Sequence, residues 1–282
     1  MNIQTIGVIG AGTMGNGIAH VFAGGGFHVI LCDVEQRFLE RGVATITRNL
    51  DREVAKNRIS EEDKAATLKN IETLTERDRL AACDFMVEAA TEKLEIKAEL
   101  FRDLDRLARP EVVLASNTSS ISITKLAALT GRPGKVIGMH FFNPVPVMKL
   151  VEVIRGLATS QETFETVREL ATKLGKTPVQ VNDAPGFVSN RVLMPLLNEA
   201  MYAVMEGVAT ADAVDEVFKL GMAHPMGPLT LADFIGLDVC LDIMRVLLDG
   251  LGDPKYRPCP LLIRMVDAGW LGRKSGRGFY EY

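Results

Sequence analysis

The sequence predicts a doubly wound α/β sheet followed by an all-helical domain. Short apolar runs rich in β-branched residues alternate with amphipathic helical segments through roughly the first two thirds of the 282-residue chain. Beyond Pro185 the apolar residues recur only at helical spacing, so no further strand is predicted there. A chain of this length is long enough to form two cores. We therefore place a domain boundary near D-A-P-G, with domains at residues 1–184 and 185–282.

The first domain reads as alternating strands and helices. The opening run I-Q-T-I-G-V-I-G is typical of a buried parallel strand. A glycine turn, a helix ending at residues 24–26 and a second strand, H-V-I-L-C-D, follow. A charged helical insert spans about residues 36–70, with a break near residues 57–60. Further segments predicted are strands near 84–88, 112–115 and 136–139 and a helix at about 93–108.

The second domain is unusually apolar for a set of helices. Its segments V-L-M-P-L-L-N-E-A-M-Y, A-D-A-V-D-E-V-F-K-L and L-D-V-C-L-D-I-M-R-V-L-L all need a neighbour to cover them. An internal bundle core would provide one, and so would a dimer interface. We favour a homodimer formed through this domain.

Composition and charge exclude several classes of protein. Lys plus Arg number 32 against 36 Asp plus Glu, so the net charge of −4 provides no basic excess for nucleic acid. The four cysteines lie far apart without a C-x-x-C, which suggests neither a disulfide framework nor a metal site. The first 32 residues carry no charged side chain, but eight glycines and several polar residues argue against a membrane segment. The prediction is a cytoplasmic protein.

A dinucleotide site is predicted directly after the first strand. The segment G-A-G-T-M-G joins strand to helix, and Asp33 follows the second strand 18 residues after Gly15. In a Rossmann-type domain such glycines permit the turn, the approach of a pyrophosphate and the packing of helix on strand. The carboxylate binds the adenosine ribose and disfavours a 2′-phosphate, so NAD is preferred, although Arg37 leaves NADP open. The predicted cofactor-binding residues of this segment are Gly10, Ala11, Gly12, Thr13, Met14, Gly15 and Asp33.

Oxidation of an alcohol needs a base for the hydroxyl proton, and His140 is the best placed of four histidines. It ends a strand, V-I-G-M-H, at the carboxyl edge where open α/β sheets bind ligands. His20, His28 and His224 sit in a helix, at a strand start and in a Pro-rich turn, where structural roles are the commoner ones. Glu152 interrupts the apolar strand K-L-V-E-V-I and would be costly to bury unpaired. It either orients His140 or points to solvent from an edge strand.

The segment S-N-T-S-S at residues 116–120 follows another strand and offers several small hydrogen-bonding groups. A serine-rich helix cap is the ordinary interpretation of such a turn, and the pattern does not show which hydroxyl would meet a substrate. A serine hydrolase is disfavoured because the chain has no G-x-S-x-G elbow.

Taken together, these motifs strongly resemble those of the L-3-hydroxyacyl-CoA dehydrogenases over essentially the whole chain. The resemblance implies NAD-dependent, reversible oxidation of a short-chain (S)-3-hydroxyacyl-CoA to the 3-oxoacyl-CoA. The motifs that carry it, in chain order, are G-V-I-G-A-G-T-M-G, V-E-A-A-T-E, S-N-T-S-S, G-M-H-F-F-N-P-V-P, K-L-V-E-V-I, D-A-P-G-F-V-S-N-R, H-P-M-G-P-L-T-L-A-D and G-R-G-F-Y-E-Y.

The same resemblance implies roles for individual residues. His140 is similar to the family's base and Glu152 to its partner, while Ser119 and Asn190 match residues that hold the substrate. Ser119 also belongs to the implied NAD contacts, together with Glu92, Lys97, Asn143 and Lys274. Without the family, Asn190 would be read as a helix cap, and Lys97 and Lys274 as solvated surface charges.

Arg48, Arg52 and Lys56 recur every fourth residue in the helical insert and so share one helical face. Such spacing more often indicates a solvated basic stripe on the helix surface. Because the insert of this family contacts coenzyme A, the resemblance implies that Lys56 binds the phosphates of the substrate's coenzyme A.

Two alternative functions stay open. One is a dehydrogenase for a free hydroxy acid, such as L-gulonate 3-dehydrogenase, and the other is a non-catalytic dinucleotide-binding or structural protein.

Overall fold

The computed structural model describes residues 3–282, which form two compact units. The first unit ends at Asp183, and the second comprises Ala184–Tyr282. The first predicted domain starts at Met1, and Met1 and Asn2 lie outside the described residues.

The first unit is built on one eight-stranded sheet with the strand order β3-β2-β1-β4-β5-β6-β7-β8. All neighbouring strands run parallel except the antiparallel pair β6 and β7. The strands are β1 Thr5–Ile9, β2 His28–Cys32, β3 Ile71–Leu74, β4 Phe85–Glu88, β5 Val113–Ser116, β6 Val136–Phe141, β7 Leu150–Arg155 and β8 Thr177–Asn182. The helices are α1 Thr13–Gly24, α2 Gln36–Ala55, α3 Glu61–Lys69, α4 Leu94–Leu107, α5 Ile123–Ala127 and α6 Gln161–Lys173. The predicted fold class is confirmed.

An aromatic cluster fixes α1 against the middle of the sheet. The ring of Phe22, on α1, lies 6.4 Å from that of Phe85 on β4 and 6.5 Å from that of Phe141 on β6. All three side chains are almost completely buried. Each such side chain contributes about 1.5–3 kcal/mol when it leaves water. The packing therefore holds the last turn of α1 in a fixed position on the sheet.

The second unit is helical, and within its described residues β structure is limited to isolated bridges at Gly272, Arg277 and Glu281. It has its own apolar core, in which α7, α9, α10 and α11 pack together. Its helices are α7 Ser189–Met205, α8 Ala211–Gly221, α9 Pro228–Ile235, α10 Leu237–Leu251 and α11 Pro260–Asp267.

A buried carboxylate anchors the last residues of the second unit. Asp233, which is 1% exposed, accepts hydrogen bonds from the backbone N–H groups of Phe279 and Tyr280, each at 3.0 Å. Burial raises the pKa of Asp233, while these two hydrogen bonds act in the opposite direction. A Cβ at position 278 would lie 2.0 Å from Asp233 Oδ1, and one at position 272 would lie 2.3 Å from the Asp233 carbonyl oxygen. Only glycine fits at either position.

Within residues 3–282, no helix is both long enough and apolar enough to cross a lipid bilayer.

All four cysteines are free and buried. Burial raises the pKa of Cys32 to about 11 and those of Cys83 and Cys240 to about 12. These thiols therefore stay protonated at neutral pH, as expected of structural cysteines.

Candidate active site

The turn between β1 and α1 has a distinct geometric requirement at each glycine. Gly10 has a φ of +103°, and a Cβ there would lie 2.7 Å from the carbonyl oxygen of Ala89. A Cβ at Gly15 would lie only 1.7 Å from the carbonyl oxygen of Gly10. A Cβ at Gly12, in contrast, would meet nothing within 4 Å. Gly10 and Gly15 are thus needed for the turn itself, whereas Gly12 leaves open space at a helix N-terminus, which suits a pyrophosphate.

Asp33 directly follows β2 and faces the same turn. Its Oδ2 accepts the Ala11 N–H at 2.6 Å, and its Oδ1 accepts the Val34 N–H at 2.7 Å. An ionised carboxylate has about four acceptor positions, so capacity remains for ribose hydroxyls. Asp33 also lines a cavity of about 430 Å³ whose walls include Phe38 and Leu100. This combination of an acceptor and apolar walls fits the adenosine half of a dinucleotide.

Arg37, the residue that left NADP open, is already engaged. Its Nε lies 2.6 Å from Glu35 Oε2, and its guanidinium carbon lies 5.0 Å from the centre of the Phe38 ring. The positive charge is balanced by a neighbouring carboxylate, which favours NAD over NADP at this strand end.

A second cavity of about 400 Å³ connects the glycine turn with the loop that follows β6. Its lining includes Gly12 and Thr13 from the turn, Asn49 from α2, and Asn143 from the loop. The predicted cofactor residue Asn143 therefore lies on the same cavity as the predicted pyrophosphate site.

His140 and Glu152 meet at the antiparallel edge of β6 and β7. The two residues are directly opposite in the strand register, and His140 Nδ1 lies 2.8 Å from Glu152 Oε2. His140 is 7% exposed and Glu152 is 3% exposed, so the alternative of a solvent-facing Glu152 is wrong. A carboxylate accepting at Nδ1 favours the tautomer with its proton on Nδ1, which directs acid–base chemistry to Nε2.

The other three histidines lie in structural settings. His20 is buried within α1, His28 Nε2 lies 3.4 Å from the partly exposed Glu72, and the ring of His224 lies 5.3 Å from that of Phe218. Among the residues that the structure describes, His140 is the histidine that pairs with a buried carboxylate.

The S-N-T-S-S turn is tied to the strand that carries His140. Asn117 Oδ1 accepts the backbone N–H of Phe141 at 2.8 Å. Since Phe141 is the neighbour of His140 in β6, this bond brings the turn next to the histidine's strand.

Glu92 accepts several hydrogen bonds from the same turn. Its Oε1 accepts the Thr118 hydroxyl at 2.6 Å and the backbone N–H groups of Ser119 and Ser120 at 2.8 and 3.0 Å. Burial raises the pKa of Glu92, but the positive charge of Lys97 and these hydrogen bonds outweigh it, and the net pKa is lowered. Glu92 is therefore ionised and clamps the turn that contains Ser119.

The interpretation of Lys97 as a solvated surface charge is wrong. Lys97 is 1% exposed, and its Nζ lies 2.7 and 2.9 Å from the two carboxylate oxygens of Glu88. The lysine is buried because it lies on the inner face of α4, directly over the end of β4. Its contact with NAD stays a prediction.

Sequence reasoning missed Glu88, which is fully buried at the end of β4. Besides Lys97, its carboxylate accepts the Ser116 hydroxyl at 2.7 Å and the Ala90 N–H at 2.7 Å. The signal was present in the sequence, because an acidic residue ends the apolar run F-M-V-E just as Glu152 interrupts K-L-V-E-V-I.

Three further predicted residues belong to other elements of the chain. Lys56 is exposed and follows the last residue of α2, while Lys274 and Asn190 belong to the second unit. Lys274 Nζ lies 2.5 Å from Asp238 Oδ1. Asn190 is the second residue of α7, whose N-cap is Val188, so the interpretation of Asn190 as a helix cap is wrong.

A glycine turn, an acidic strand end and a buried His–Glu pair on one sheet define a nicotinamide-dependent dehydrogenase. The sequence model described as "3-hydroxyacyl-CoA dehydrogenase, NAD binding domain" matches residues 5–184, and "3-hydroxyacyl-CoA dehydrogenase, C-terminal domain" matches residues 186–282. The chain belongs to the 3-hydroxyacyl-CoA dehydrogenase family, and its cofactor is NAD.

Similar proteins match over nearly their whole lengths. A probable 3-hydroxybutyryl-CoA dehydrogenase from Bacillus subtilis is 57% identical over 282 residues, which cover 100% of this chain and 98% of that protein. A 3-hydroxybutyryl-CoA dehydrogenase from Bradyrhizobium diazoefficiens is 55% identical, covering 99% of this chain and 96% of the relative. The crystal structure of (S)-3-hydroxybutyryl-CoA dehydrogenase PaaH1 from Ralstonia eutropha is similar with a TM-score of 0.97 at 51% identity, covering 100% and 99% of the two chains.

Proposed function

We propose that this protein is a dehydrogenase that reversibly oxidises (S)-3-hydroxybutyryl-CoA to acetoacetyl-CoA. The observation that carries the proposal is the buried His140–Glu152 pair, 2.8 Å apart, on the same sheet as the glycine turn and Asp33, where we propose that NAD binds. The names of the similar proteins from Bacillus, Bradyrhizobium and Ralstonia support the choice of substrate.

In the oxidation, His140 Nε2 takes the proton of the 3-hydroxyl group. Glu152 keeps the ring in the required tautomer and stabilises the imidazolium that forms, because its carboxylate accepts the Nδ1 proton. Bound NAD⁺ supplies the acceptor for the hydride that leaves the substrate carbon. In the reduction, the protonated His140 returns its proton to the ketone oxygen.

Three further residues are proposed to hold the substrate. Ser119, kept in place by Glu92, would donate its hydroxyl to the 3-oxygen. Asn190 on α7 would bind near the thioester, which gives the C-terminal domain a part in substrate binding. Lys56, exposed beyond the end of α2, would pair with a coenzyme A phosphate.

The first experiment follows NADH absorbance with acetoacetyl-CoA, beside NADPH and beside free acetoacetate. We expect rapid oxidation of NADH with the CoA ester, because Arg37 is engaged by Glu35 and the Asp33 carboxylate disfavours a 2′-phosphate. We expect much slower reactions in the two comparison assays.

The possible results separate the parts of this proposal. Faster oxidation of NADPH would retain the reaction but overturn the role of Asp33. Activity on free acetoacetate equal to that on the ester would favour a hydroxy acid dehydrogenase. No oxidation under any of these conditions would reject the function.

We also propose that the protein is a cytoplasmic homodimer that associates through its C-terminal domain. Large apolar side chains on α7, α8 and α9 are exposed in the second unit, including Val192, Val217, Leu220 and Phe234. Sedimentation equilibrium should give twice the 30.8 kDa mass of the chain. Replacing Leu220 by Lys should shift the mass toward the monomer, whereas a 30.8 kDa species for the unaltered protein would contradict the dimer.

A further inference from the structure

We infer that Glu88 and Lys97 form a buried positioning pair that sets the place of Ser119 through Glu92. The inference rests on the function proposed above, in which Ser119 binds the substrate's 3-oxygen. It assigns Lys97 a task other than direct contact with the cofactor, and it gives Glu88 a task in the reaction.

The pair is built as an interior ion pair. Lys97 Nζ lies 2.7 and 2.9 Å from the two carboxylate oxygens of Glu88. Lys97 is 1% exposed, and Glu88 is fully buried. Removing two charges from water is costly, and replacing such a pair by apolar residues is often neutral or stabilising. A contribution to stability alone therefore does not account for an ion pair at this place, and its contacts point to the neighbouring turn.

Lys97 orients the carboxylate of Glu92. Its Nζ lies 3.4 Å from Glu92 Oε2, while Glu92 Oε1 accepts hydrogen bonds from the turn at residues 118–120. One oxygen of Glu92 thus faces the lysine and the other faces the backbone N–H of Ser119, at 2.8 Å. Without the charge on Lys97, Glu92 would be held only by the turn itself, so the carboxylate and the turn would shift together.

Glu88 also reaches the turn by a second route. Its Oε2 accepts the Ser116 hydroxyl at 2.7 Å, and Ser116 Oγ accepts the backbone N–H of Thr118 at 3.2 Å. The turn before Ser119 is therefore connected to Glu88 on one side through Ser116 and on the other through Lys97 and Glu92. Both routes begin at one side chain that touches neither the substrate nor His140 in the proposed mechanism.

The test uses Lys97→Met and Glu88→Gln, each alone and combined, with the exposed Lys125→Met as the matched control. At saturating NADH, we expect each single variant to lower kcat for acetoacetyl-CoA by about 10- to 100-fold, as a small misplacement of a substrate contact does. For Glu88→Gln, the KM for NADH should change less than about threefold. The double variant also lacks the charge that orients Glu92, so its kcat should be no higher than that of Lys97→Met alone. Lys125→Met should behave like the unaltered protein.

A double-mutant cycle with Ser119→Ala separates positioning from general damage. If Lys97 acts through Ser119, Lys97→Met should cost less than about threefold in kcat once the Ser119 hydroxyl is absent. An undiminished loss in the Ser119→Ala background would overturn the inference, and so would a rise in the KM for NADH that accounts for the whole effect.

Two precautions keep the outcomes distinct. If a single variant does not fold, the double variant or Ser116→Ala takes its place in the double-mutant cycle with Ser119→Ala. Ser116→Ala should lower kcat severalfold and leave NADH binding intact. If the unaltered protein fails to reduce acetoacetyl-CoA, the proposed function is rejected and the inference with it. If the unaltered protein is active but the cycle with Ser119→Ala shows simple additivity, only the inference is rejected.

Discussion

Replacing His140 by Gln is expected to lower the turnover of acetoacetyl-CoA by about 10²–10⁴-fold, the usual value of general acid–base catalysis. Glutamine fills similar space and can donate its amide N–H to Glu152, so the buried carboxylate keeps a partner and the fold should persist. It cannot accept or return a proton in the reaction. Steady-state kinetics with NADH and acetoacetyl-CoA give the effect.

The binding of NADH serves as the control for this variant. Fluorescence titration should give a Kd for NADH close to that of the unaltered protein, because the dinucleotide contacts are predicted at the glycine turn and Asp33. A loss of NADH affinity as large as the loss of turnover would contradict the role of His140 as a base. So would full turnover of the variant.

Replacing Gly12 by Ala is expected to weaken NADH binding at least about tenfold, without unfolding the chain. The new Cβ would meet no protein atom within 4 Å, so the free energy of unfolding should hardly change. It would instead occupy the space where the backbone must approach the pyrophosphate. A tenfold loss of affinity corresponds to about 1.4 kcal/mol, and we expect at least that much.

Gly15→Ala is the comparison variant. A Cβ at this position would lie 1.7 Å from the carbonyl oxygen of Gly10, so the turn must rearrange. We expect both lost NADH binding and a destabilisation of at least about 1–3 kcal/mol, measured by thermal unfolding. If Gly12→Ala unfolds the chain as readily as Gly15→Ala, or binds NADH normally, the open space at Gly12 is not the pyrophosphate site.

The parts of the fold predicted from sequence are those with strong local signals. The glycine turn, the buried strands β1, β2 and β6 and the charged insert each have a composition that few other structures share. The contact between His140 and Glu152 followed from the cost of burying a carboxylate, since only a partner makes that position tolerable.

Weak local signals explain the elements that sequence analysis did not assign. The edge strand β3 has only four residues, all partly exposed, and the edge strand β8 is mostly exposed and contains Pro178. Helix α5 has only five residues, too few to show a helical period. Helix α6 is the exception, because its apolar residues do recur at helical spacing. Edge strands bury one side at most, so they lack the continuous apolar run that identifies a central strand.

The burial of Lys97 is a tertiary effect that no local pattern reveals. A lysine on a charged helix ordinarily points to solvent, and only the approach of α4 to the end of β4 encloses it with Glu88. The sequence therefore predicts the His140–Glu152 pair of the proposed site. It does not predict the contacts among Glu88, Lys97 and Glu92 that hold the turn of Ser119.

The anchoring of the C-terminal residues has an evolutionary consequence. A side chain at position 272 or 278 would overlap Asp233, and the loss of Asp233 would leave the N–H groups of Phe279 and Tyr280 without their acceptor. Asp233 and Gly278 therefore constrain each other, because a Cβ at position 278 would overlap the Asp233 carboxylate. Gly272 is required whatever side chain stands at position 233, since a Cβ at position 272 would overlap backbone atoms of that residue. Among descendants of this chain, Asp233 and Gly278 should be retained together or replaced together, although about forty-five residues of sequence separate them.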